Sequence, residues 1–334
     1  MTTYNPEAKK RNAKFPSPIL YLSGGFTVPI EKEKSWLKRT GCTHKCYSYG
    51  YVRPGALYHD ERVQGTFELD VKEGIGIMMD SSAFSFHVLA RKARAKGMTE
   101  SDVAKLRDKV IKDYAKFIKE QKHHGQIDFY VNFDYVKHCP TIYKMQHRFQ
   151  DQGLRPMPIY HGDSSFDWLR KYLDEGHDYL GVGSDKNLRP TWDMKRRYLN
   201  DIFEITSKYK NIRLHGFGLT GHPMMFGWPW YSCDSSTWAK IAAYGQILIV
   251  DPNSGRMKYV HVSTSMCVAN KNQYGKMEKS VKRTIRDFVE EKGFDFDLIR
   301  REPYERALFC AYMFSHIHEF VSRRDIYSTW EKIL

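Results

Sequence analysis

Short apolar runs recur along the chain, separated by longer stretches of mixed character. "PILYLSGG" (18–25), "KCYSYGYV" (45–52), "GIGIMMD" (74–80), "IDFYVNFD" (127–134), "PMPIYHG" (156–162), "YLGVG" (179–183), "IRLHGFG" (212–218) and "WYSCD" (230–234) make eight. Parallel strands covered by helices on their outer face read as short, nearly continuous apolar runs of this kind. The stretches between them carry helical signals. Residues 101–122 place Val103, Leu106, Val110, Tyr114, Phe117 and Ile118 on one face, with lysines opposite. Thr99, followed by Asp102 three positions on, resembles a capping box. Residues 165–176 end in Gly176, suited to the position just past a helix. Residues 191–208 carry Leu199, Ile202, Phe203 and Ile205 as an apolar stripe.

This alternation predicts an α/β chain. Its core is a (β/α)8 TIM-like barrel over 18–245, with a C-terminal α/β extension over 246–334. The link "LTGHPMMFGWP" between the seventh and eighth strands is short for a helix. In the extension, "GQILIV" and "MKYVHVS" flank "DPNSGR", a hairpin with Asn253 to Gly255 at its turn. Helical stretches follow around 276–291 and 303–322, packed on the barrel. Residues 1–17 read as a loose basic arm.

Composition narrows the function. The net charge of +14 over 334 residues favours a polyanionic partner, and the abundant aromatic rings point to nucleic acid. No apolar run is long enough for a membrane span, and no secretory signal opens the chain. The six cysteines are too few for a disulfide framework, so a reducing cytoplasm is expected. Cys42 and Cys46 flank His44, which invites a metal, but no second pair stands at ligand spacing. The thiols are therefore read as packed side chains. No P-loop or dinucleotide fingerprint is present, and no cofactor is expected.

Chemistry in such a barrel sits at the C-terminal ends of the strands. Those ends carry Asp80, Asp134, His161 with Gly162, Gly181 and Gly183, His215 with Gly216, and Asp234. A carboxylate after a buried run is costly unless it is paired or useful. Asp234 alone reads as a helix cap, a role open also to Ser235 or Ser236. Three aspartates and two histidines on one rim read as a site. Two carboxylates facing one cleft suit chemistry at a sugar anomeric carbon, one as nucleophile and one moving a proton. A third can read a guanine edge, because a carboxylate accepts two coplanar N–H bonds. Neighbouring glycines let a flat ligand approach the backbone.

These residues resemble the tRNA-guanine transglycosylases. "DSSAF" (80–84) is similar to that family's D-S-G-G-[FY], and "VNFD" to its strand ending in the guanine-recognising Asp. "IYHG" stands where the family has Gln-Gly, "LGVG" resembles its glycine-rich strand, "RLHGFG" its R-Y-L-x-G-x-G strand, and "SCDSSTW" its nucleophile strand. The order holds from 18 to 240. The resemblance implies a (β/α)8 barrel that exchanges guanine for a 7-deazaguanine base within an intact strand. It implies Asp234 as nucleophile on C1′ and Asp80 as acid and base. Phe84 would then stack on the base, Asp134 would bind its Watson–Crick edge, and His161 and Gly162 would line its carbonyl side.

Departures are visible. Ser82 and Ala83 replace the two motif glycines, His161 the usual Gln, and His215 a common Met. The zinc-binding C-x-C-x-x-C is missing: Cys267, Cys310, His316 and His318 cannot supply four ligands at that spacing, so no metal is expected. In this the chain is more similar to the DNA-guanine transglycosylases of phages and bacteria. DNA is the expected polymer and a free 7-deazaguanine the second substrate. Three alternatives stay open: the same exchange on tRNA, a glycosylase that releases the base to water, and a non-catalytic nucleic-acid-binding barrel.

Overall fold

A computed structural model describes residues 18–24, 30–56, 58–121, 127–134, 139–162, 164–183, 191–219, 222–250, 257–265 and 273–320. The basic arm, the hairpin turn at Asn253 to Gly255, and Cys267 lie outside the described residues. The first half runs β1 (Ile19–Leu22), α1 (Ile30–Thr40), β2 (His44–Ser48), α2 (Tyr49–Val52), α3 (Glu61–Lys72), β3 (Gly76–Asp80), α4 (Ala83–Ala95), α5 (Glu100–Gln121) and β4 (Ile127–Tyr130). The second continues α6 (Cys139–Gln150), β5 (Ile159–His161), α7 (Phe166–Asp174), β6 (Tyr179–Gly183), α8 (Trp192–Ser207), β7 (Arg213–Phe217), α9 (His222–Phe226), β8 (Ser232–Ser235) and α10 (Thr237–Ala243). The extension holds β9 (Gln246–Val250), β10 (Met257–His261), α11 (Lys279–Glu290), α12 (Phe296–Arg301), α13 (Pro303–Ser315) and α14 (Ile317–Phe320).

All eight expected strands form, and they join one parallel sheet in the order β4-β3-β2-β1-β8-β7-β6-β5. The end strands β4 and β5 do not pair as strands. Just beyond them, Val131 and Met157 make a single parallel bridge. Its bonds run from Met157 N–H to the Tyr130 carbonyl at 2.7 Å and from Asn132 N–H to the Met157 carbonyl at 2.9 Å. The result is a curled, TIM-like parallel sheet flanked by helices, with one isolated bridge instead of a ladder at its last seam, so it is not the closed barrel that the sequence pattern predicts.

Three clusters divide the core. Tyr21, Met78, Phe129, Val131, Met157, Ile159 and Tyr179 pack together on the concave side of the sheet. Two larger clusters lie between sheet and helices. The larger also takes in α13, whose Leu308, Phe309, Cys310 and Met313 are fully buried, so extension and sheet share one core. Buried Arg306 ties them further: its Nε donates to the Ala242 carbonyl and its Nη1 to the Ile299 carbonyl, both at 2.9 Å. These are carbonyls near the ends of α10 and α12; the Ala242 carbonyl also accepts from Gly245 N–H at 3.0 Å. Among the described residues, no helix is long and apolar enough to cross a membrane.

Local signals mostly place the helices. Thr99 and Asp102 form the reciprocal cap of α5: Asp102 N–H reaches Thr99 Oγ1 at 3.2 Å, and Thr99 N–H reaches Asp102 Oδ2 at 3.3 Å. Gly176 adopts φ +79° past α7 and donates to the Leu173 carbonyl. The second run, expected as one strand over 45–52, ends as strand at Ser48 and turns into α2.

The outward face of β2 carries an ionic cluster. Lys45 pairs with Glu33 of α1 and, at 2.8 Å, with Asp70 of α3, which also accepts from the Tyr47 hydroxyl. Glu33 and Asp70 are fully buried, and burial pushes the Glu33 carboxyl up. The Lys45 ammonium also lies 4.4 Å from the centre of the Trp36 ring. Replacing Lys45 by Met removes the cation that pairs with both buried carboxylates. We expect a loss of about 3–5 kcal/mol, the usual cost of breaking a buried pair from one side. A lower urea midpoint at constant slope reports it; an unchanged midpoint contradicts it.

Candidate active site

Strand alternation decides which rim residues face inward. On β8, Ser232 and Asp234 face the concave side, while Cys233 packs into the outer core. On β2, Cys46 packs against the concave-side cluster and the Ser48 hydroxyl reaches Asp80. Cys42, before the strand, packs in the outer core with its thiol toward the His44 carbonyl. Cys42 and Cys46 therefore point to different sides of the sheet. Among the described residues, no three His, Cys, Asp or Glu side chains gather as a metal site.

A cleft of about 640 Å³ opens over β1, β2, β3 and β8. Its volume falls in the range of small-molecule sites. Asp80, Asp234 and Phe84 line it, together with Ser23, Cys46, Ser48, Tyr51 and Arg62. Phe84 is 71 % exposed, an unusual state for a large apolar ring.

Asp234 does not cap the helix that follows it. The residue ahead of α10 is Ser236, and the nearest cap-like bond runs from Thr237 N–H to Ser235 Oγ at 3.2 Å. The Asp234 carboxylate is held across the sheet instead. Its Oδ2 accepts from the Ser23 hydroxyl of the neighbouring β1 end at 2.8 Å, and its Oδ1 accepts from Gly218 N–H at 2.7 Å. His215 Nε2 stands 3.5 Å from the same Oδ1. The carboxylate is 9 % exposed, and that exposure opens on the cleft.

Asp80 has a different setting. Its Oδ2 accepts from Ser82 N–H at 2.9 Å and from the Ser48 hydroxyl at 3.2 Å. Burial, with the nearby charges of Asp134 and Asp234, raises its pKa to about 6. Among the described residues, no lysine or arginine pairs with Asp80 or Asp234. The cleft thus holds one carboxyl whose pKa is raised to about 6 and one carboxylate oriented by fixed donors.

Ser82, which makes the Asp80 loop, adopts φ +64°. That left-handed conformation costs an ordinary residue about 1–2 kcal/mol. Its hydroxyl compensates, accepting from Gly50 N–H at 2.6 Å and meeting Ser48 Oγ at 2.5 Å.

The other expected site residues are placed differently. Asp134 and His161 face each other, with Nε2 and Oδ2 2.8 Å apart, and the Asp134 charge also acts on Asp80. Gly183 pairs with His161 across β5 and β6, and a Cβ there would meet the His161 ring at 2.9 Å, so the glycine makes room for the imidazole. Gly162 is buried at the end of β5. His215 is fully buried and touches Asp234 and Ser232 rather than open space. Gly216 faces the outer core, where a Cβ would meet Leu219 at 2.5 Å. His215 and Gly216, expected to bind the ligand, thus lie beneath Asp234 and against the outer core.

Sequence reasoning missed Ser23, Cys46 and Ser48. Ser48 was legible as the last residue of β2, opposite Asp80 in register, had the run not been extended to residue 52. Cys46 is two residues before it on the same face. Burial, beside the charges of Asp234 and Asp80, holds its thiol well above the usual range, which makes it a poor nucleophile.

No family model matches this chain, and no curated protein is significantly similar to it.

Proposed function

We propose that this chain exchanges guanine for a 7-deazaguanine base in DNA through a covalent glycosyl ester on Asp234. The observation that carries this reading is the pair of unlike carboxyl groups in one cleft: Asp234 oriented by fixed donors, and Asp80 with its pKa raised to about 6. Two carboxyl groups in unlike surroundings can divide the roles of nucleophile and acid.

In the proposed reaction, an Asp234 oxygen attacks C1′ of a nucleotide taken out of the stack. The bond from C1′ to N9 breaks, and its electron pair leaves with guanine. Asp80 gives its proton to the departing purine. The incoming base then returns a proton to the Asp80 carboxylate, its N9 attacks C1′, and the ester to Asp234 breaks. Bonds broken match bonds made, so the exchange needs neither an oxidant nor nucleotide hydrolysis.

Two further observations support this reading. Phe84 presents an exposed ring at the cleft, where a base can stack. Ser82 takes a positive φ at the position where the resembling motif has its first glycine. A loop that needs that conformation accounts for a glycine in one sequence and a hydroxyl-supported serine in another.

The test is incubation with labelled guanine and either DNA or tRNA. Label is expected in DNA. Label in tRNA alone assigns the same chemistry to the other polymer. Free guanine released without incorporation assigns a glycosylase, and binding with neither outcome assigns a non-catalytic barrel. In the same assay, Phe84→Ala is expected to lower kcat/KM by roughly 10- to 100-fold, since stacking is worth about 1–3 kcal/mol per base. Total DNA binding should change little, because the +14 chain holds the backbone by charge. Unchanged kcat/KM in Phe84→Ala removes the stacking role.

A further inference from the structure

Behind Asp234 lies a buried polar chain that the proposed reaction does not itself require. Tyr179 Oη stands 2.5 Å from Ser232 Oγ, and Ser232 Oγ stands 2.7 Å from His215 Nδ1. His215 and Ser232 are fully buried, and Tyr179 is 7 % exposed. The rings of Phe129 and Phe217 lie 5.5 Å and 4.6 Å from the imidazole, and Tyr21 lies 6.2 Å away. The one ring nitrogen with no hydrogen bond is Nε2, and it faces Asp234 Oδ1 at 3.5 Å.

Counting protons fixes the direction of the chain. A tyrosine and a serine each have one O–H to give, and a neutral imidazole has one N–H. If Tyr179 donates to Ser232 and Ser232 donates to His215 Nδ1, each of these protons meets an acceptor. The imidazole proton then sits on Nε2 and points at Asp234. The reverse direction puts the imidazole proton on Nδ1 and leaves the Tyr179 proton without an acceptor in the chain. It also sets the Nε2 lone pair against a carboxylate oxygen, which is repulsive.

We propose that Tyr179, Ser232 and His215 form a positioning relay that holds His215 in its Nε2–H form and so selects which oxygen of Asp234 attacks. Oδ1 accepts from Gly218 N–H at 2.7 Å, and His215 Nε2 faces the same oxygen at 3.5 Å, both of them fixed in the framework. Oδ2 is held by the Ser23 hydroxyl, which rotates away about one bond. Oδ2 is therefore the attacking oxygen, and His215 is a positioning residue that does not touch the substrate. This inference rests on the exchange reading for its kinetic part and on geometry alone for the rest.

The experiment uses the full chain with 15N-labelled histidine. The His215 signals are assigned by their loss in His215→Gln, and two-bond proton–nitrogen correlations report which ring nitrogen carries the proton. The expected result is the Nε2–H form, with an Nε2 shift that moves in Asp234→Asn. Ser232→Ala should mix the two tautomers and lower the exchange kcat by about 10-fold with KM for DNA unchanged; His215→Phe should lower kcat further. An Nδ1–H form in the wild type overturns the relay, as does Ser232→Ala with both tautomer and kcat unchanged. If the wild type exchanges no base, the reaction assignment fails, while the tautomer spectrum still decides the relay.

Discussion

Asp234→Asn is expected to abolish base exchange, by several orders of magnitude, while the fold stays intact. The amide keeps the size of the side chain and one oxygen to accept from Gly218 N–H or the Ser23 hydroxyl. It cannot form a stable glycosyl ester, so the covalent step has no substitute. A purely structural role predicts the opposite pattern. Had Asp234 been a helix cap, Asn would replace it at little cost, since the two cap about equally well. The structure already gives that task to neither oxygen. Exchange kinetics read the first effect and a thermal melt the second. Retained exchange in Asp234→Asn removes the carboxylate from the reaction.

Asp80→Asn is expected to slow exchange by about 10²–10⁴-fold, the usual worth of a positioned proton donor, and at the same time to stabilise the protein at neutral pH. Both effects follow from one environment. The Asp80 carboxyl titrates near 3.8 when unperturbed and at about 6 in the folded chain, chiefly because burial disfavours its charge. Between about pH 4 and pH 6, the folded chain retains a proton that the unfolded chain has released. Stability therefore falls as pH rises through that window, and the full penalty is present above about pH 6. A shift of this size corresponds to roughly 1–3 kcal/mol. Asparagine has no charge to desolvate, and its oxygen can still accept from Ser82 N–H. The variant should melt higher than the wild type at pH 7 and show no such gain at pH 4.

The same proton sets the pH dependence of exchange. Asp80 must be protonated to give its proton to the leaving base. The wild-type kcat/KM should therefore decline as pH rises through about 6, and the slower Asp80→Asn rate should lack that decline. A variant that is less stable at pH 7, or that keeps the decline, contradicts the assignment of Asp80 as the acid.

Much of the architecture was legible because buried parallel strands leave a plain mark. Ile77, Met78 and Met79 are buried in β3, and Leu180, Gly181 and Val182 in β6. Helix α4 was not legible. Its first turn follows Ser82, which is left-handed and makes no side-chain cap, and its Phe84 points to solvent, which breaks the apolar stripe. Both features belong to the cleft, so local rules fail where the candidate site is built. The open seam between β4 and β5 was missed because an apolar run marks a strand and not the partner that it pairs with.

The site was legible as a rim and not as a set of contacts. Position after an apolar run finds the end of a strand but not which face a side chain takes. Asp80 and Asp234, both expected on the rim, line the same cleft. Position along the chain could not tell that Asp134 and His161 engage each other, nor that Gly216 turns outward while its neighbour His215 turns inward beneath Asp234. Those facts depend on register between strands distant in sequence, such as Ser232 opposite His215.

The most direct measurement of the central claim is peptide mapping of the trapped adduct. Wild-type chain is mixed with guanine-containing DNA, quenched by denaturation, and run on a denaturing gel. The slow band is then digested with protease and nuclease. The account predicts one peptide, spanning Asp234, that carries the mass of a base-free sugar fragment, and no such band in Asp234→Asn. A modified peptide elsewhere in the chain, or rapid exchange with no adduct at Asp234 under the same quench, would contradict it.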